Sequence, residues 1–253
     1  MSKIALITGA NRGLGRATAL ALASSAAEVD LIITYRANAE EAASLVEEVT
    51  KLGRKAVAFQ LDVGKLDQFD GFAAAVAGAL AAEWGRDSFD YLVNNAGVGH
   101  AGSIAETPVE IFDELLNVHF RGVFFLTQRL LPLIADGGKI INVSTGLSRF
   151  VGDGFAAYAS VKGAVEVFTR YLAKELGPRG ISANVVAPGV TVTDFAGGMV
   201  RDNEQARAYL GSQIAMGHVG YPEDIGAVIA SLLTSPANWI TAQRIEASGG
   251  QSL

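Results

Sequence analysis

No cysteine occurs anywhere in the chain, and the other scarcities are as informative. Without thiols there is no disulfide scaffold and no cysteine-ligated metal, and the composition suits a reducing compartment. Only six prolines and no Gly-X-Y period exclude collagen-like and low-complexity classes. No apolar run approaches the roughly 18 residues that cross a bilayer. Met1-Ser2-Lys3 leads into an apolar run that stops at Thr8, too short for a signal peptide. Positive charge is also in deficit: 20 Lys and Arg against 26 Asp and Glu leave a net charge of −6, which argues against a nucleic-acid surface. The expectation is a soluble cytoplasmic protein, one domain over residues 1–253, with neither membrane nor nucleic acid as partner.

What the chain has in surplus is glycine, 29 of its 253 residues. Short β-branched apolar runs alternate with longer helical stretches. Strands are expected at Ile4–Thr8, Val29–Tyr35, Ala56–Asp62, Tyr91–Asn94, Lys139–Ser144, Ile181–Ala187 and Arg244–Ala247. Helices are expected at Leu14–Ala27, Ala39–Lys51, Leu66–Trp84, Val109–Ala135, Ala156–Leu176, Asp202–Gln213 and Pro222–Leu233. Near-continuous apolar strands are buried on both faces, as in a parallel sheet. Strict alternation then implies right-handed crossovers and a doubly wound α/β fold, about seven strands with helices on both faces. Ligands of such folds bind beyond the carboxyl ends of the strands.

The first strand runs into Thr8-Gly9-Ala10-Asn11-Arg12-Gly13-Leu14-Gly15, a G-x-x-x-G-x-G turn that opens a helix. Glycines there allow backbone N–H groups to approach a pyrophosphate at a helix N-terminus. Asn94-Asn95-Ala96-Gly97 follows the fourth strand, Tyr158-Ala159-Ser160-Val161-Lys162 has Y-x-x-x-K spacing, and Pro188-Gly189-Val190 with Thr193 follows the sixth strand. Together with Asn117, these motifs resemble the short-chain dehydrogenase/reductase family over nearly the whole chain. The resemblance implies a Rossmann-type domain and NAD(P)-dependent interconversion of an alcohol and a carbonyl.

The second strand ends Thr34-Tyr35-Arg36 with no carboxylate to bond a ribose diol. Arg36 can instead hold a 2′-phosphate through a charge-assisted fork, and Arg12 could approach the same phosphate from the other side. NADP(H) is therefore the expected cofactor, with NAD(H) open. Asp62-Val63 matches the family's adenine-contacting pair, although Asp62 could equally cap a helix or loop.

Reduction of a carbonyl needs a proton for the developing alkoxide. Tyr158 and Lys162 share one helix face, so the ammonium can lower the phenol's pKa; by resemblance Lys162 also holds the nicotinamide ribose. The family's serine lies about thirteen residues before the tyrosine, where this chain has Thr145, with Ser144 and Ser148 as fallbacks. Threonine keeps the hydroxyl but adds a methyl. By resemblance Asn117 distorts its helix and supports a water linked to Lys162. The segment 190–217 is expected to cover the substrate, with Gly197-Gly198 either a hinge or the start of a helix. Phe150, Phe155, Phe195 and Met199 suit a modest apolar carbonyl compound or simply the core. His100, His119 and His218 lack metal-ligand spacing and read as satisfied loop or helix histidines. The long helices resemble those through which family members pair, so a homodimer or homotetramer is implied. The resemblance is nearest to the 3-oxoacyl-[acyl-carrier-protein] reductase group, with the Gly220–Ile225 and Ser248–Gly250 segments adding to it. Two other readings stay open: an NADP-binding regulator that has lost turnover, and an epimerase or dehydratase on the same fold.

Overall fold

The protein is described by a computed structural model over residues 2–236 and 239–253. The strands β1 (Lys3–Ile7), β2 (Val29–Tyr35), β3 (Ala56–Gln60), β4 (Phe89–Asn94), β5 (Ile134–Val143), β6 (Ser182–Pro188) and β7 (Arg244–Ala247) form one parallel sheet, ordered β3-β2-β1-β4-β5-β6-β7. The order reverses between β1 and β4, which places the ligand crevice at the turns after those two strands. The doubly wound α/β expectation holds.

Alternation along each strand decides which layer a residue joins. Ile4, Leu6 and Ile32 pack with Phe69, Phe72, Val76 and Leu172 on one face. Their neighbours Ala5, Ile7, Leu31 and Ile33 pack with Leu22, Leu45, Ile225 and Ile229 on the other. The helices are α1 (Gly13–Ala23), α2 (Ala39–Lys51), α3 (Phe69–Ala79), α4 (Val109–Leu116), α5 (Gly122–Leu130), α6 (Ala156–Leu176), α7 (Met199–Asp202), α8 (Glu204–Gly211) and α9 (Pro222–Thr234). Among the described residues, no helix is long and apolar enough to cross a membrane.

Three expected helices are interrupted. The stretch 66–84 is α3 between a 3₁₀ turn and a widened π turn, Leu80–Trp84. The stretch 109–135 divides into α4, a π turn at Asn117–Arg121, α5 and a 3₁₀ turn at Leu131–Leu133. Pro132, with no N–H to donate, stands where the helix ends, and β5 starts at Ile134 rather than Lys139. The stretch 202–213 breaks at Asn203, whose extended backbone lets its side chain accept from Ala206 N at 2.9 Å and cap α8.

Candidate active site

The turn after β1 is bound to the turn after β4. The backbone N–H groups of Asn95 and Ala96 both donate to Thr8 Oγ1 at 3.0 Å, and Asn95 Nδ2 donates to the carbonyls of Thr8 (2.9 Å) and Gly9 (3.1 Å). A Cβ on Gly15 would fall 2.4 Å from Gly9 O and 2.6 Å from Asn95 Nδ2, so only glycine lets α1 close on this turn. Arg12 supplies no side-chain cap to α1. The first-turn amides beside Leu14 are thus left uncapped by Arg12 at the positive end of the helix dipole, which fits the pyrophosphate of a dinucleotide. Asn11 is buried and donates to Glu41 Oε2 at 2.6 Å, bracing the turn against α2.

Beyond β2 and β3 lies a cavity of about 620 Å³ lined by Arg36, Gln60, Asp62 and Lys65 among others. Its Arg36 is exposed, next to the half-buried Tyr35. Lys65 adds a second cation to the lining, one that a lone lysine in a loop does not signal in the sequence. Asp62 accepts from Gly64 N at 3.0 Å, so it caps the loop from which Val63 is buried. Arg12 does not converge on Arg36: it pairs with Asp194 at 3.2 Å, because the loop after β6 brings that carboxylate to the glycine turn.

Tyr158 and Lys162 project from one face of α6 and are both buried. Lys162 Nζ donates to Val143 O at 2.6 Å and stands 5.9 Å from the Tyr158 ring centre. Burial draws Lys162 down to about 7. Burial also pushes the Tyr158 phenol above its ordinary range, only partly opposed by its hydrogen bond with Thr145. The lowering expected from the lysine does not prevail, because burial penalises the phenolate and only the Thr145 hydrogen bond opposes it. Tyr158 is consequently a protonated phenol.

Thr145 is the hydroxyl that meets Tyr158. Its neighbours face elsewhere: Ser144 Oγ and Ser148 Oγ donate to Glu166 Oε1 at 2.7 and 2.6 Å. Glu166 also accepts from Arg244 Nε at 3.0 Å, and Arg244 Nη2 reaches Thr145 O at 3.1 Å. This carboxylate, on the same helix as Tyr158, ties the Thr145 loop to α6 and β7. Its role is invisible in sequence because its partners lie 18 to 78 residues away.

Asn117 opens a widened turn, and its Oδ1 accepts from Arg121 Nη1 at 2.8 Å in an exposed pair. Residues two apart on a helix point to nearly opposite sides, so the side chain that faces the reaction centre is His119. His119 is buried, and its ring stands edge-on to Tyr158 with centroids 5.1 Å apart. It is not a satisfied histidine, since its Nδ1 has no hydrogen-bond partner among the described residues. His100 meets Glu114 at 2.8 Å and His218 meets Val219 O at 2.9 Å.

The loop after β6 completes the site. Gly189 N donates to Ala247 O at 3.0 Å and Val190 N to Gln251 Oε1 at 2.9 Å, fixing the exit of Pro188. Thr193 Oγ1 accepts from Phe195 N at 3.3 Å. Ala196, Gly197 and Gly198 all have positive φ, and Gly198 precedes α7. Phe195 lies against Tyr158 and stacks on Phe155, whereas Met199 is exposed.

The family profile described as enoyl-(acyl carrier protein) reductase matches residues 9–252. With it come relatives similar along nearly their full length. An uncharacterized oxidoreductase of Methylorubrum extorquens is 36% identical over 98% of this chain and 97% of its own. The 3-oxoacyl-[acyl-carrier-protein] reductase FabG of Staphylococcus aureus is 32% identical over 99% and 98%. The chain belongs to the short-chain dehydrogenase/reductases. Among solved members, the angucycline C-6 ketoreductase LanV with bound NADP superposes with a TM-score of 0.91 at 36% identity, over 98% of this chain and 95% of that one. In this reductase the glycine turn, the Tyr158–Lys162 pair and the loop after β6 stand together at the carboxyl edge of the sheet.

Proposed function

We propose that the protein reduces a carbonyl compound to its alcohol with NADPH, or runs the reverse reaction, with Tyr158 as proton donor. The observation that carries this reading is a buried Tyr158 joined to the Thr145 hydroxyl and adjoining Lys162, in a fold whose first turn is closed by glycines in a form suited to a pyrophosphate. NADPH, when bound, supplies the hydride. Gly13 to Gly15 hold the pyrophosphate through main-chain N–H groups, and Arg36 and Lys65 take the 2′-phosphate. Preference over NADH rests on these cations and on the lack of an acid at the end of β2. Asp62 and Val63 border the adenine. Asn95, Ala96, Gly97, Pro188, Gly189, Val190 and Thr193 wall the nicotinamide half.

Thr145 and Tyr158 bond the substrate oxygen and fix its carbon toward the hydride. Because burial keeps Tyr158 protonated, the phenol O–H gives its proton to the oxygen as charge develops there. Lys162 supports the phenolate that remains. Residues 190–217 form the substrate cover of a single domain, with Phe195 as its inner surface. Exposed Val109, Phe112 and Phe125 on α4 and α5, with Val167 and Tyr171 on α6, support association into a homodimer or homotetramer. The absence of cysteine and of a long apolar run supports a cytoplasmic setting.

Tyr158→Phe tests the reading. Turnover of ketones and 3-oxoacyl thioesters should fall at least about 10²-fold, while NADPH still quenches protein fluorescence with an unchanged Kd. Full turnover in this variant would overturn it.

A further inference from the structure

His119 has geometry that the reduction scheme leaves unused. Its Nε2 lies 2.7 Å from Val98 O and 3.3 Å from Val98 N. A carbonyl can only accept, so a bare nitrogen at the shorter distance would set lone pair against lone pair. Nε2 therefore carries the hydrogen, and the longer contact to the amide is no hydrogen bond. In the neutral ring Nδ1 is then bare, and it is the buried side-chain nitrogen or oxygen that lacks a partner among the described residues.

The ring is clamped on three sides. Val98 O holds Nε2, and the phenol of Tyr158 meets the ring at an interplanar angle of 83°. On the third side a Cβ at Gly97 would fall 2.7 Å from Cε1 and 3.3 Å from Nδ1, so glycine alone leaves room for the imidazole. The groups facing it are Tyr158 and Lys162 from α6 and His100 from the loop after β4. Burial first, then the positive charge of Lys162, hold His119 well below the usual histidine range. The ring thus stays neutral throughout the working pH range. It joins the turn that borders the cofactor site to the group that donates the proton.

We infer that His119 is a positioning residue for proton transfer: a neutral imidazole, held as the Nε2–H tautomer by Val98, that sets the plane of the Tyr158 ring against the Gly97–Val98 turn and presents Nδ1 as a hydrogen-bond acceptor within the reaction centre. The inference rests on Tyr158 being the proton donor. It assigns the fourth position of the centre to His119 instead of Asn117.

The test compares His119→Phe, which keeps a planar ring but neither nitrogen, with His119→Asn, which keeps a short N–H donor for Val98 O. His119→Phe should lower kcat about 10²-fold, the cost of a small misplacement of a reacting group, with the KM for NADPH and its Kd nearly unchanged. His119→Asn should recover a large part of the loss, and Asn117→Ala should leave kcat within about threefold. If His119→Phe fails to fold, Gly97→Ala gives the second readout, because its methyl displaces the clamped ring and should lower kcat similarly. Nitrogen-15 NMR of the three histidines in the wild-type protein should show one ring fixed as neutral Nε2–H from about pH 6 to 9. Wild-type kcat in His119→Phe, or a His119 that protonates near its ordinary value or carries its hydrogen on Nδ1, would overturn the inference. Those results leave the reductase reading intact, whereas full turnover in Tyr158→Phe removes that reading itself.

Discussion

The ring of Phe195 rests against the phenol of Tyr158, with centroids 5.1 Å apart and planes inclined by 55°. Phe155 stacks on the far side of Phe195 at 6.4 Å and 21°. The residue after Phe195 has positive φ without being glycine: Ala196 sits at φ 49° and ψ 43°. Such backbone is sparsely populated for a residue with a Cβ and is held by its surroundings. Here the surroundings are the Phe195 contacts and the pairing of Asp194 with Arg12 and Arg201.

Phe195→Ala should therefore act on the substrate and not on the cofactor. The expected result is a rise of roughly tenfold in KM for an apolar ketone, equivalent to about 1.4 kcal/mol of contact from a partly exposed ring. The Kd for NADPH should stay constant. Steady-state kinetics beside fluorescence titration checks both.

Thr145 and Ser144 are neighbours that the fold turns to different tasks. Thr145→Val keeps the shape and removes the hydroxyl that meets Tyr158, so kcat should drop about 10²-fold or more. Thr145→Ser should retain most of it. Ser144→Ala removes one of three donors to Glu166 and should cost about 0.5–1.5 kcal/mol of stability with only a small fall in kcat. The reverse order of effects, measured by kinetics and thermal melts on the same preparations, would move the hydroxyl's role to Ser144.

Arg36 is exposed at the rim of the cavity beside β3 and is free to meet a phosphate. A charged hydrogen bond contributes about 1.5–3 kcal/mol, so Arg36→Ala should raise KM for NADPH about 10- to 100-fold. KM for NADH should not change, since that cofactor has no 2′-phosphate. Lys65→Ala should give a smaller shift with the same selectivity. Equal losses with both cofactors would contradict the assignment.

Burial draws Lys162 down to about 7 from its ordinary 10.5. Between these values the unfolded chain holds a proton that the folded chain has released, so this residue makes the protein more stable as pH rises through that window. Below about 7 its full burial cost is present. Lys162→Met removes the effect, so the variant's Tm relative to wild type should decline as the pH is raised from about 7 to 10. Thermal melts across that range check this, and a constant difference would contradict it. Turnover should be lost at every pH.

Much of this molecule is legible along the chain because its determinants are local. Apolar runs of β-branched residues specify strands wherever they are buried on both faces, and β2, α2, α6 and β7 begin and end where the pattern places them. The glycine turn and the Tyr158–Lys162 pair are equally local, since both depend on spacing within one turn or one helix. Three things were decided only when distant segments met. Phase within a helix is one: Asn117 and His119 are two residues apart, and only the packing of the widened turn against Tyr158 selects the histidine. The direction of a pKa is another, because proximity of Lys162 argues for a lowered phenol, but desolvation by surrounding elements outweighs it. The third is partnership across the sheet. Glu166 collects Ser144, Ser148 and Arg244, and Arg12 finds Asp194, over separations that no periodicity records. Sequence spacing determines what one element presents; burial and contact between elements determine what each presented group does.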